Sequence, residues 1–410
     1  MTQVVVVGGG PAGLACAIEL RRRGVGGVVV LDREASAGGI PRHSAHEGFG
    51  VRDLHRLMTG PQYACRYVEL ARRAGVDVLE GSAVTGWGGD RSIDVTSPNG
   101  RERIDPSALV LATGCRERPR AARLVPGSRP DGVMTTGVLQ QRVHLRGERI
   151  AGRALVVGAE HVSFSAVATL AHAGARVVAL VTELPRHQSL ELFRIGAALR
   201  YRTPVWTRTA VGAIHGRRAV EEVELVDLTD GSTRGVACDA VVFTGDWIPD
   251  HELAVMAGLE LDPGTRGPRV DTGLRTSRPG IAAAGNVLHG AEPADVAALS
   301  GRHAAASILD WLDDGSWYDP VLPIVCEPPL RWIAPNALSS ASRSPPRGRF
   351  LLRADTWLRA PVVEFSQGDR TLWRRRVRGV FPGRSTSLPW EWIRAVDLAG
   401  EPVHARLAAR

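Results

Sequence analysis

The sequence predicts an α/β fold with two Rossmann-like dinucleotide-binding domains, the second inserted in the first, plus a small β-rich C-terminal domain. Three observations predict it. The chain opens on an apolar run that breaks into glycines, continues as a helical pattern and closes on an acid. The same order of strand, turn, helix, glycine, strand and acid returns over 154–183. Beyond about residue 320, prolines, arginines and tryptophans punctuate short alternating runs. At 410 residues the chain exceeds what one core organises, so several domains are expected.

Val4 to Val7 is a buried-strand pattern running into Gly8-x-Gly10-Pro11-Ala12-Gly13. Gly8 permits the tight turn, Gly10 lets the backbone reach a pyrophosphate, and Gly13 lets the helix Leu14 to Arg23 pack on the strand. Phosphates then sit on the positive helix N-terminus, and Asp32, after the run Val28 to Leu31, can accept from a ribose. The motif's early position and the Gly38-Gly39 that follows it favour FAD over NAD. Gly60-Pro61 precedes a helix over Tyr63 to Ala74. Val76 to Leu79, Ser82 to Trp87 and Ile93 to Ser97 read as short strands, with Pro98-Asn99-Gly100 as a hairpin turn. Leu109 to Gly114 is another buried strand ending in small residues, and Arg116 to Pro130 reads as an interdomain link.

In the repeat, strand Ala154 to Val157, a turn at Gly158, a helix to Ala173, Gly174 and strand Arg176 to Val181 lead to Glu183. Its glycine pattern is spoiled to Gly158-x-Glu160-x-x-Ser163, which puts a carboxylate where a pyrophosphate would lie. Glu160 at the helix N-terminus is itself the anion that the macrodipole favours. The second unit is therefore expected not to use NAD(P); the alternative is a shifted binding mode in which Glu183 serves the ribose. The chain is expected back in the first domain near Arg269, where Thr276 to Asn286 repeats strand and turn before a helix over Ala294 to Trp311. The expected boundaries are 1–120 and 268–318 for the first domain, 121–267 for the second and 319–410 for the third. Runs at Arg353 to Trp357 and Val362 to Phe365 supply strands in the third. Its Trp332, Trp357, Trp373, Trp390 and Trp392 read as core, with a partner face as the alternative.

The segments at 4–13, 109–114 and 276–286 together resemble the FAD-binding half of the pyridine nucleotide-disulfide oxidoreductase superfamily. The resemblance implies that the first motif holds the ADP moiety and the last reaches the ribityl chain. Asn286 stands where that family usually has Asp, and its amide still offers a donor and an acceptor. The expected FAD contacts are Gly8, Gly10, Pro11, Ala12, Gly13, Asp32, Arg33, Gly39, Ile40, Val84, Thr113, Gly114, Gly285 and Asn286. Gly114-Cys-Arg-Glu-Arg-Pro-Arg120 and the following VPGSRPDGVMTTGVLQQ from Val125 resemble the FAD subunits of opine and hydroxyproline dehydrogenases and of hydrogen cyanide synthase. The α chain of heterotetrameric sarcosine oxidase shares that neighbourhood. This resemblance covers roughly 1–310 and implies a partner subunit, either a second flavoprotein or an iron-sulfur protein.

Every one of the 51 basic residues is arginine. Without lysine there is no Schiff base to a substrate and no P-loop lysine. The net charge of +8 is scattered rather than patterned, so no nucleic-acid partner is expected. No apolar stretch reaches membrane-spanning length, and the N-terminus lacks a signal-peptide n-region, so a cytoplasmic location is expected. Cys16, Cys65, Cys115, Cys238 and Cys326 form no C-x-x-C or C-x-x-x-x-C pair. Neither a redox disulfide nor a metal site is expected.

The superfamily presents its reactive groups to the flavin in the stretch after Gly38-Gly39, which here reads Ile40-Pro41-Arg42-His43-Ser44-Ala45-His46. Arg42 is a candidate clamp for a substrate carboxylate, and His43 or His46 a candidate proton acceptor. The alternative is that Arg42 binds an FAD phosphate and the histidines are ordinary loop residues. His289 is a further candidate, beside the pyrimidine edge of the flavin. The expected activity is FAD-dependent oxidation of a small amine, amino acid or hydroxy acid, with electrons leaving to a partner subunit, a quinone or oxygen. Two alternatives stand: an NAD(P)H-dependent ferredoxin- or rubredoxin-type reductase, and a scaffold or relay subunit whose FAD only passes electrons.

Overall fold

A computed structural model describes residues 4–150, 152–290, 292–318 and 322–408. They form two compact units. The first takes the residues through Arg42, Glu47–Cys115 and those from Pro249 on; the second takes His43–His46 and Arg116–Ile248.

In the first unit the strands Ile281–Ala283, Ala108–Leu111, Val4–Val7, Val28–Leu31 and Asp77–Leu79 lie side by side in that order, all parallel. The four-valine strand is buried along its whole length, as an interior strand of a parallel sheet must be. The helix after it runs Pro11–Arg22, starting three residues before the expected Leu14. Proline's fixed φ and missing N–H suit the first turn, where an amide has no intrahelical partner. The next helix, Gly60–Arg73, also starts early. Thr59 caps it, with Thr59 and Gln62 exchanging side-chain and backbone hydrogen bonds at the N-terminus. The hairpin Ile93–Ser97 to Gly100–Ile104 turns at Pro98-Asn99 as its sequence indicates.

The second unit repeats the plan. Strands Val133–Thr135, Ala240–Phe243, Arg153–Val157, Arg176–Val181 and Val205–Trp206 form a parallel sheet, joined by helix His161–Ala173. A three-stranded antiparallel sheet, Thr209–His215, Glu222–Asp227 and Thr233–Ala237, completes it. Residues 116–130 open the second unit and are held by local hydrogen bonds. Arg120 donates to the carbonyls of Val125, Pro126 and Ser128, and Gly127 bridges to Ile214. The chain rejoins the first unit at Pro249, about twenty residues before the expected point. Leu253, Ala254, Ala257 and Leu259 are apolar and fill the first unit's core.

Residues 322–408 belong to the first unit yet keep an apolar core of their own. One sheet runs Ala337–Leu338, Leu322–Cys326, Val403–Leu407, Val362–Gln367 and Arg370–Arg376; a second holds Leu330–Ala334, Phe350–Ala354 and Thr386–Leu388. Trp392 stacks on Phe365 at 4.4 Å and lies 5.1 Å from Phe350, so this tryptophan is core. The segment is tied down by polar bonds. Asn336 Oδ1 accepts from Val270 N at 2.8 Å, and Ser339 Oγ donates to Asp271 at 2.7 Å. Asp271 in turn pairs with Arg275, the largest fully buried side chain among the described residues. Helix Ala294–Asp314 crosses the first helix so closely that a Cβ on Gly301 would stand 1.9 Å from Ala12 O. Two helices almost three hundred residues apart in the chain are thereby brought together.

Candidate cofactor and active site

The glycines of the first turn divide by what confines them. A Cβ on Gly8, whose φ is +109°, would meet Ala112 O at 2.4 Å, and one on Gly13 would meet Gly8 O at 1.9 Å. Both are glycine because the protein's own backbone leaves no room. Gly10 differs: its backbone is extended, with φ −79°, and the nearest atom to its Cβ would be Gly39 Cα at 3.9 Å. Nothing in the chain forbids a side chain there. The open space lies at the N-terminus of helix Pro11–Arg22, where backbone N–H groups and the helix dipole favour an anion. This fits the pyrophosphate of a dinucleotide.

Around that cradle, Gly38 N donates to Gly9 O at 2.7 Å and brings Gly39 against Gly10. Asp32 is buried. Its carboxylate accepts from Gly9 N at 3.0 Å and Glu34 N at 2.8 Å, which fixes its orientation. Burial pushes its pKa up, opposed by those two N–H groups and by the positive charge of Arg42. Arg42 therefore acts on the same end of the site as Asp32. Ile40 is exposed, and Val84 is half-buried on strand Ala83–Trp87. Arg33 reaches toward Asp250 at 3.6 Å. Thr113 Oγ1 donates to Asp250 O at 2.7 Å, and Gly114 O accepts from Asp250 N at 2.9 Å, which fixes the end of the 109–114 segment.

Gly285, with φ +76°, packs its Cα side against Ala12, so the last motif folds onto the first as the sequence pattern requires. The Asn286 amide donates to Glu292 O and accepts from Glu292 N, each at 3.1 Å. One N–H and one lone pair are left for a ligand. His289 stacks on Trp332 at 5.0 Å, and burial pushes its pKa down, so the ring is neutral at neutral pH. Its neighbours Glu292 and Arg353 oppose each other's influence on it.

The histidines after the glycine pair part company. His43 is buried in the second unit with Nδ1 3.4 Å from Gln140 Oε1, and Ser44 Oγ lies 3.3 Å from the same oxygen. Gln140 Nε2 donates onward to Ser165 Oγ at 2.9 Å. His46 is exposed. The structure thus groups Arg42 with Asp32 and the glycine turn, and His43 with Gln140.

In the second unit the Glu160 carboxylate lies at the N-terminus of helix His161–Ala173. Ser163 Oγ donates to it at 2.8 Å and Thr244 Oγ1 lies 3.1 Å away. A Cβ on Gly158 would meet Glu160 Oε2 at 2.7 Å, and one on Gly245 would meet the carboxyl carbon at 2.9 Å. The carboxyl fills the turn. Sequence reasoning missed the residues that surround it. Arg123 donates to Thr244 O at 2.8 Å and Gly245 O at 2.9 Å, and buried Glu117 accepts from Gly137 N at 2.8 Å and Gly245 N at 3.3 Å. Burial pushes the Glu117 pKa up against those N–H groups. A signal for them existed: Phe243-Thr244-Gly245 repeats Ala112-Thr113-Gly114 at a strand end.

All five cysteines are free thiols. Burial pushes Cys16 up to about 12 and Cys238 up to about 11, well away from the thiolate form needed for exchange chemistry. Among the described residues no helix is long and apolar enough to cross a membrane, and no three His, Cys, Asp or Glu side chains cluster as a metal site.

Fold and site define a flavoprotein built on two dinucleotide-type domains. Residues 2–301 match the pyridine nucleotide-disulphide oxidoreductases, and the chain belongs to that family. It is an FAD-dependent oxidoreductase. It is 29% identical over 345 residues to one of the subunits of opine oxidase from Agrobacterium tumefaciens (strain Ach5), a match covering 75% of this chain and 65% of that relative. It is 28% identical over 335 residues to the HcnB component of hydrogen cyanide synthase from Pseudomonas aeruginosa, covering 74% and 70%. Ferredoxin-type reductases are among its relatives as well. Thioredoxin reductase of T. acidophilum shares the fold, with a TM-score of 0.63 at 22% identity over 75% of this chain and 97% of that one.

Proposed function

We propose that the chain is the FAD-bearing subunit of a dehydrogenase or oxidase that oxidises a small amine, amino acid or hydroxy acid and passes the electrons to a partner subunit. The observation that carries this reading is the Glu160 carboxylate, hydrogen-bonded into the turn where the second unit would receive a nucleotide phosphate. An anion already occupies the favourable end of that helix, so electrons are taken from a substrate rather than from NAD(P)H. The lack of a C-x-x-C or C-x-x-x-x-C pair and the burial of Cys16, Cys115 and Cys238 speak against disulfide chemistry.

FAD, when bound, supplies a two-electron acceptor. Gly10 admits its pyrophosphate, Asp32 accepts from the ribose, and the remaining donor and acceptor of Asn286 serve the ribityl hydroxyls. Arg42, which acts electrostatically on Asp32, binds the phosphates in this reading rather than a substrate carboxylate. His289 is a neutral base in the first unit that takes the substrate proton in this reading. The relatives from opine oxidase and hydrogen cyanide synthase are each one component of a larger enzyme, which favours a second reading in which this chain's FAD relays electrons delivered by a partner.

Anaerobic mixing tests the proposal. Excess NADH or NADPH should leave the flavin oxidised on the timescale of seconds, whereas a screen of amino acids, opines and hydroxy acids should find a substrate that bleaches it. Rapid bleaching by NAD(P)H would establish the reductase alternative. Bleaching by a small molecule only after a partner subunit is added would establish the relay.

A further inference from the structure

The family match ends at residue 301, and the β-rich segment beyond it has no assigned role. One wall of a cleft with about 480 Å³ of open space, its mouth included, comes from this segment. The opposite wall holds Gly285, Asn286 and the first turn of helix Ala294–Asp314.

The charges on this wall are met only at a distance, by Glu292 and Asp295. Arg347 and Arg349 both line the cleft, and among the described residues neither makes an ion pair. The nearby carboxylates are engaged elsewhere. Glu292 accepts from Ser385 and lies 3.8 Å from Arg353, and Asp295 accepts from the Arg52 guanidinium at 3.0 and 2.9 Å and from Val296 N at 2.9 Å. Arg349 Nε donates to Arg347 O at 3.3 Å, which holds the two residues in one turn. Arg347 sits at φ 60°, a left-handed conformation rarely held by a long side chain, and strain of this kind concentrates at ligand sites. Burial lowers its pKa, and the charges of Arg349 and Arg52 add to that effect while those of Asp295 and Glu292 oppose it. The remaining lining is mixed: Leu274, Leu288, Pro335 and Leu351 are apolar, and Asn286, Glu292 and Ser300 are polar.

We propose that this cleft binds a small organic carboxylate, the carboxylate facing Arg347 and Arg349 and the carbon body lying on the apolar walls. Paired guanidinium groups match carboxylate or phosphate geometry equally. The apolar walls decide for an organic anion, since inorganic phosphate would leave them wet. His289 lines the same cleft, placing a neutral ring beside the bound anion. The choice of ligand class rests on the substrate-oxidising reading; the site itself does not.

The test is equilibrium binding, which needs no turnover. Holoprotein is titrated calorimetrically with glutarate and benzoate, with inorganic phosphate as the comparison anion. Wild type should bind at least one of the two carboxylates more tightly than phosphate. Arg347→Asn keeps a residue that tolerates the left-handed backbone, and Arg349→Gln keeps a hydrogen-bonding side chain. Each should weaken carboxylate binding by about tenfold or more, as loss of a charge-assisted bond does, and the double variant should abolish it while flavin content stays at the wild-type level. The proposal is overturned if neither carboxylate binds wild type, if phosphate binds as tightly, or if the variants bind unchanged. Loss of FAD from the variants also overturns it, because the cleft then serves the cofactor. A failed titration with a flavin still bleached by some substrate rejects the cleft alone; binding without any bleaching substrate rejects the dehydrogenase reading alone.

Discussion

Substituting alanine at Gly10 separates the cofactor's requirement from the protein's. A Cβ there meets nothing nearer than Gly39 Cα at 3.9 Å, and the backbone conformation is one any residue adopts. The residue is a helix N-cap, where alanine is poorer than glycine by about 1 kcal/mol or less. Against that, alanine restricts the unfolded chain, a gain of about 0.4–1 kcal/mol. The apoprotein's stability should therefore stay within about 1 kcal/mol of wild type. A pyrophosphate lying against the Gly10 backbone has no room for the methyl group. Overpacking of this kind costs about 1–3 kcal/mol, which corresponds to about a 5- to 150-fold loss of FAD affinity. Gly13→Ala is the contrasting variant: its Cβ would stand 1.9 Å from Gly8 O, so the turn or the helix must move and the fold itself suffers. The assay is titration of apoprotein with FAD by fluorescence quenching, paired with thermal melts of the apo forms. A Gly10→Ala protein that holds FAD with wild-type affinity would refute the assignment of this turn to the pyrophosphate.

Two further predictions concern stability. Arg275 is 1% exposed and pairs with Asp271, 0% exposed, at 3.3 Å and with Asp310 at 2.8 Å. Arg275→Ala leaves a buried carboxylate without its cation and should cost about 3 kcal/mol or more in urea unfolding, a loss under 1 kcal/mol contradicting the role given to this network. His303 Nε2 donates to Thr272 O at 2.7 Å, and burial holds its pKa below the ordinary histidine value. The native state then binds fewer protons than the unfolded chain between the depressed value and about 6.5, so stability rises with pH across that interval and falls on acidification through it. The slope is at most about 1.4 kcal/mol per pH unit for one histidine. His303→Gln, which can still donate to Thr272, should shrink the stability difference between pH 7 and pH 5; an unchanged difference means this histidine does not titrate as described.

Local pattern was enough to read much of the molecule. The glycine turn, the acid at Asp32 and the repeat over 154–183 each express a rule that acts over a few residues: a strand must end, a helix must start, and a carboxylate at a helix N-terminus takes the place of a phosphate. Glu160 could be read this way because the helix dipole is a local property. The helices begin ahead of Leu14 and Tyr63 because a proline at position 11 and a cap at Thr59 start them before their apolar stripes do. What only the tertiary structure decided are the associations of residues distant in the chain. Arg42 and His43 are neighbours in sequence, yet one acts on Asp32 and the other meets Gln140. Leu253, Ala254 and Leu259 draw the chain back into the first core before its next motif begins. Arg347 and Arg349 look like part of a polar loop until the bonds of Asn336 and Ser339 to residues 270 and 271 bring their segment against Gly285 and His289. Spacing along the chain records which residues share a strand or a helix turn; which charge faces which cleft depends on how separate elements pack, and no local rule carries that information.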